Sequence, residues 1–72
     1  MPLNLAELNK HYIIQKICGQ EKIRHHLETL GIIAGCEIIV LSELSEYYVV
    51  VVKGSKFGLD KRLAQKIIIM AE

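Results

Sequence analysis

The sequence predicts a mainly β domain: a small, partly open barrel of about five strands with one α-helix and a short helical turn. Three observations carry that expectation. The 72 residues include 11 Ile and 5 Val, side chains whose branched Cβ suits a pleated sheet better than a helix. Tyr47 to Lys53 places two tyrosines before four consecutive valines, the strongest β signal in the chain. Leu30-Gly31-Ile32-Ile33-Ala34-Gly35 joins a helical period to a β run in minimal length, with two glycines free to take positive φ.

The elements follow in order. Asn4 and Glu7 have capping-box spacing, predicting one helical turn over Leu5 to Leu8. Tyr12 to Ile17 reads as a first strand with imperfect alternation, ending at Gly19. From Lys22 to Leu30 the period changes, and Ile23, Leu27 and Leu30 at i, i+4 and i+7 define one apolar stripe of a helix that Gly31 terminates. Arg24, His25 and Glu28 lie opposite, with His26 at the stripe's edge. Cys36 to Leu41 is the next strand, its unbroken Ile38-Ile39-Val40-Leu41 run implying burial on both faces or a tightly curled sheet. Ser42 to Glu46 turns the chain into Tyr47–Lys53, whose edge is expected to be exposed and able to pair weakly with a second copy.

Gly54-Ser55 fits a two-residue hairpin in a primed turn. Lys56 to Leu59 returns with Phe57 and Leu59 on one face, and Gly58 on the other marks a sharp bend. Asp60 caps a turn over Lys61, Arg62 and Leu63, and Ile67 to Met70 closes the sheet. This order of strands, helix, hairpin and one-turn connector adds up to a barrel of the SH3-like kind. A chain of 72 residues holds one core, so residues 1–72 form one domain.

Composition excludes several functions. Nine basic residues against eight acidic ones leave a net charge of +1, too little to attract nucleic acid, and no aromatic platform for bases is present. No apolar run approaches the ~20 residues of a membrane-spanning helix, so there is no direct membrane insertion and any membrane role comes through a partner. The start of the chain lacks a basic and apolar leader, which makes a cytoplasmic location with reduced thiols the expectation.

No catalytic constellation is legible: there is no nucleophile with its base, no open metal triad and no paired carboxylates. Gly31 to Gly35 is followed by Cys36 rather than Gly-Lys, so it is no phosphate-binding loop. His11, His25, His26, Glu28, Cys18 and Cys36 are the available metal ligands, but their spacing does not converge, and no metal or cofactor is assigned. Only His25 and Glu28 share a helix face. Cys18 and Cys36 read as small buried hydrophobes, with a zinc site of two thiols and a histidine as the alternative. His26 reads as a packed helix-edge residue.

Charge is unevenly distributed. Lys53 to Lys66 carries five basic residues against Asp60 alone, whereas Glu37 to Glu46 carries three acids and no base. Both segments suit solvated surfaces; alternatively they form a polarised face that orients docking to a larger protein.

Three stretches, in this order, resemble the FeoA family. These are Leu27 to Gly35, similar to the family's Leu-x-x-Leu-Gly-x-x-x-Gly, the hairpin Lys53-Gly54-x-x-Phe57-x-Leu59, and Leu63-Ala64-x-x-Ile67. The resemblance spans nearly the whole chain. It departs at His26, where the family has Arg, at Ala34, where it has Pro, and in the short proline-free Ser42–Glu46 loop.

The resemblance implies a non-enzymatic accessory protein of bacterial ferrous iron uptake. It would bind and modulate the cytosolic G-protein domain of a ferrous iron permease. The alternative is a metal-responsive, transition-metal-binding regulatory module like the SH3-like domain of iron-dependent repressors. For docking, the hairpin and connector residues Lys53, Lys56, Phe57 and Arg62 are the candidates, with Leu30 and Ile32 at the helix corner.

Overall fold

The computed structural model describes all 72 residues. A 3-10 turn at Leu3–Leu5 leads into β1 (His11–Ile17), α1 (Glu21–Thr29), β2 (Glu37–Glu43), β3 (Tyr47–Val52), β4 (Ser55–Asp60), the one-turn helix α2 (Lys61–Ala64) and β5 (Ile67–Ala71). The strands form one antiparallel sheet in the order β4-β3-β2-β1-β5. No ladder joins β4 to β5, so the barrel stays open there, with α2 carrying the chain from one edge to the other.

Two bulges curl this sheet. One interrupts β1 between Ile14 and Lys16 against β5, and the other interrupts β2 between Val40 and Ser42 against β3. An extra residue on one strand tightens twist locally, and it explains the irregular alternation in β1. Tyr12 and Ile14 point inward, Gln15 is the extra residue, and Ile17 returns opposite buried Ile67. In β2, Ile38 and Val40 are buried while Ile39 and Leu41 are half-buried, as the outer side of a curled sheet requires.

Fourteen buried side chains make one core, drawn from every strand together with Leu3, Leu27, Ile32 and Ala64. Leu3 reaches it from the 3-10 turn, which Pro2 precedes with no side-chain cap. The expected capping box therefore does not form. Instead the Glu7 backbone N–H donates to the hydroxyl of buried Tyr12 at 3.0 Å, meeting that hydroxyl's need for a partner inside the domain.

Two further expectations are corrected. β3 is paired on both sides, with β2 and β4, so it is no edge strand; the sheet's edges are β4 and β5. Part of β5's outer edge is taken by the N-terminus, where the Ile69 N–H donates to the Met1 carbonyl at 2.7 Å. The hairpin turn is Lys53-Gly54, one residue earlier than expected, since Val52 pairs with Ser55 and both turn residues have positive φ (52° and 78°). A turn at Gly54-Ser55 would set Lys53 directly opposite Lys56, and like charges at such a cross-strand position repel. Gly58 makes room for the Tyr47 ring: a Cβ there would lie 2.9 Å from Tyr47 Cδ2.

The helix corner is built as the sequence suggests. The Gly31 N–H donates to the Glu28 carbonyl at 3.0 Å and the Ile32 N–H to the Leu27 carbonyl at 3.1 Å, the paired bonds of a Schellman motif, with Gly31 at φ 89°. Leu27 and Ile32, the apolar pair such a motif brings together, are both fully buried.

Candidate docking surface

The six sequence candidates fall into two regions rather than one patch. At the helix corner, Leu30 is the C-cap of α1 and is 37% exposed, beside exposed Ile33. Gly31 lies against the hairpin: a Cβ placed there would sit 4.0 Å from Lys53 Cδ and from Val52 Cγ1. The corner and the hairpin tip, with exposed Lys53 and Lys56, therefore form one neighbourhood. Phe57 pairs with buried Val50 and is half-buried against the core. Ile32 is fully buried. Its side chain holds the helix down and presents nothing to a partner.

The second region surrounds Arg62 at the far end of β4. Asp60 caps α2 by accepting the Arg62 N–H at 2.7 Å, and the same carboxylate takes the guanidinium Nε and Nη2 at 3.2 Å each. This fork holds the Asp60 carboxyl below its ordinary value and raises Arg62. Arg62 remains 91% exposed. Next to it opens a groove of about 380 Å³ lined by Ile23 of α1 and by Asp60, Arg62, Leu63 and Lys66. Ile23 and Leu30 are seven residues apart on α1, so groove and corner are about 10 Å apart along the helix axis.

Ile23, Leu63 and Lys66 were not among the sequence candidates. Their signal was present, since Ile23 belongs to the helical stripe and Lys66 to the basic run. That Ile23 of α1 and residues between Asp60 and Lys66 line one groove is a tertiary fact.

The basic run is partly neutralised by the acidic segment. Lys61 Nζ lies 2.7 Å from Glu43 Oε2 and 5.2 Å from the Tyr48 ring centroid, and its backbone N–H donates to the Glu46 carbonyl. Lys61 thus ties the start of α2 to the β2–β3 hairpin. Lys53, Lys56 and Lys66 form no ion pair and keep their charge available.

Among the potential ligands, Cys18 is exposed rather than the buried hydrophobe expected, Cys36 is half-buried against the core, and the two are unbridged. His26 is likewise exposed rather than packed. His25, His26, Glu28 and the two thiols form no group of three. His11 instead joins two residues that the sequence did not single out, Glu37 and Glu72.

Comparison with known proteins places this geometry. The model of the FeoA domain matches residues 1–71. The crystal structure of an iron uptake regulatory protein (FeoA) superposes with a TM-score of 0.87 at 26% identity, covering 96% of this chain and 92% of that one. A FeoA-like protein from Clostridium acetobutylicum gives 0.89 at 22% identity over 99% of this chain and 85% of its own. The repressor ScaR with bound Zn2+ gives 0.87 at 24% identity; all of this chain is covered, but only 37% of the repressor. No curated protein matches the sequence significantly. No helix is long and apolar enough to cross a membrane. With its open five-strand barrel and a match over almost its entire length, the chain belongs to the FeoA family, a non-enzymatic accessory domain associated with ferrous iron transport.

Proposed function

We propose that this chain is a docking module that binds the cytosolic G-protein domain of a ferrous iron permease and modulates its transport or nucleotide cycle. Family membership supports the iron-transport setting. The observation that carries the docking reading is the surface along α1. A groove lined by Ile23, Leu63, Lys66, Arg62 and Asp60 adjoins the same helix that ends at exposed Leu30, where Gly31 lies against Lys53. Apolar side chains supply contact area, while the unpaired Lys53, Lys56 and Lys66 and the exposed Arg62, paired with Asp60, set orientation and on-rate toward an acidic partner surface.

The residues assigned to contact are Leu30, Lys53, Lys56, the half-buried Phe57 and Arg62, joined by Ile23, Leu63 and Lys66. The test is a binding titration of the full chain against the isolated G-protein domain at low and at physiological salt. Reversing Lys53 and Lys56 to Glu slows association and weakens binding by about tenfold at low salt, with a smaller loss at higher salt. Lys10→Glu, a charge change on β1's side of the sheet, serves as control. Absence of binding at low salt, or equal losses in control and double variant, rejects the proposal.

A further inference from the structure

We infer that His11, Glu37 and Glu72 form a surface site for one divalent first-row transition ion, held by an imidazole nitrogen and two carboxylate oxygens. This inference is independent of the docking surface and uses none of its residues. It starts from register. β1 lies between β2 and β5, with His11 opposite Ile39, Ile13 opposite Glu37 and Tyr12 opposite Ala71. Pairing continued by one residue sets Glu72 opposite His11, and Glu37 is the diagonal neighbour of His11 across the other ladder. Cross-strand neighbours share a sheet face, so three adjacent strands deliver the three side chains to one point on the outer surface.

The side chains meet there. His11 Nδ1 lies 2.9 Å from Glu37 Oε2 and 3.8 Å from Glu72 Oε2, and one ligand atom from each residue falls within 4.8 Å of the others. The Glu72 carboxyl, and after it the imidazole, hold the Glu37 carboxyl below its ordinary value, while Glu37 raises Glu72.

Charge balance separates this group from an ordinary surface ion pair. Glu7, Glu43 and Asp60 each rest on a lysine or arginine, whose charge persists through neutral pH. Glu37 and Glu72 have no lysine or arginine partner, and their only cation is His11. The geometry thus gathers two carboxylates and an imidazole nitrogen with no lysine or arginine among them, a donor set for a metal ion.

The mixed donor set gives the class. Magnesium and calcium favour oxygen-only shells, and thiol-loving ions favour cysteine, whereas one imidazole with two carboxylates suits manganese, iron(II), cobalt or zinc. All three ligands are exposed, so water fills the remaining positions and exchange is fast.

The probe is Mn2+, which thiols bind poorly and whose paramagnetism broadens nearby NMR signals. In mildly alkaline buffer, substoichiometric Mn2+ should broaden the amides of His11, Tyr12, Glu37, Ile38, Ala71 and Glu72 first, and excess Mg2+ should not reverse it. His11→Ala and Glu37→Gln, both at exposed positions, should weaken the effect about tenfold or more, while His25→Ala and Glu28→Gln leave it unchanged. Amide spectra of each variant report that the sheet is intact. Broadening centred on His25, His26 or Glu28, uniform broadening, reversal by Mg2+, or equal response in Glu37→Gln and the original chain overturns the inference.

Discussion

Replacing Leu27 by Ala tests the packing that holds α1, and with it the docking surface. Alone, a nine-residue helix is unstable in water. α1 has one fully buried side chain, Leu27, with half-buried Ile23 packed on the core beside it. Leu27→Ala removes three carbons, worth about 0.8 kcal/mol each in transfer, or about 2.4 kcal/mol. The unfilled cavity raises the total to about 3 kcal/mol or more. A domain of this length has on the order of 4–11 kcal/mol of stability, so one substitution consumes a large share of it.

Urea unfolding, followed by circular dichroism, should show the midpoint falling by roughly 2–3 M with an unchanged slope. Hydrogen exchange should show α1 amides losing protection before those of β2 and β3. Leu30→Ala on the same stripe, where the residue is 37% exposed and no cavity forms, should cost no more than about 1.5 kcal/mol. A loss below about 1 kcal/mol for Leu27→Ala, or equal losses for the two variants, would refute the claim that Leu27 anchors the helix.

Other outcomes follow from the turn and from the ion pair. Lys53 sits at φ 52° in the hairpin turn, where Asn is better tolerated. Lys53→Asn should therefore raise stability by about 0.5–1 kcal/mol while weakening docking, separating fold from function in one variant. Unchanged docking would remove Lys53 from the contact surface. The Glu37 hydrogen bond and charge raise the His11 imidazole above its ordinary value, and His11 contributes to lowering Glu37.

The stabilisation from raised His11 is complete below its unfolded value of about 6.5 and is lost as pH rises through the raised value. That from Glu37 is present above about 4.3 and lost as pH falls through the lowered value. Their pairing therefore helps most between those two unfolded values. Glu72, whose own value is raised by Glu37, opposes it as Glu72 ionises. An NMR titration of His11 should return toward the ordinary histidine value in Glu37→Gln; an unmoved midpoint would contradict the pairing.

Local chemistry made most of the fold legible. Valine and isoleucine runs marked the strands, Gly31 marked the helix end, and Asp60 capped α2 as its position before Lys61 suggested. What the sequence hid was pairing. The bulges at Gln15 and Leu41 decide which isoleucines face inward, and nothing local announces them. The turn shifted by one residue because cross-strand repulsion between Lys53 and Lys56 appears only once a register is drawn.

Ile32 misled the site reading because apolar residues after a helix-ending glycine look loop-like. Its spacing of five from Leu27 is nevertheless the Schellman pair, and that signal was readable. The His11–Glu37–Glu72 group was not readable, since it joins residues 26 and 61 positions apart through two separate ladders. Nor was the groove, whose lining joins Ile23 of α1 to residues near α2 some forty positions later.

The central claim is that this barrel acts by gripping another protein along α1 and the hairpin tip. The most direct measurement is an NMR footprint: amide shifts of the labelled chain as an unlabelled G-protein domain of a ferrous iron permease is added. The account predicts saturable shifts at Ile23, Leu30, Lys53, Lys56, Arg62 and Lys66, with β5 and the His11 surface unmoved. No saturable shift at low salt, or a footprint confined to β1 and β5, would contradict it.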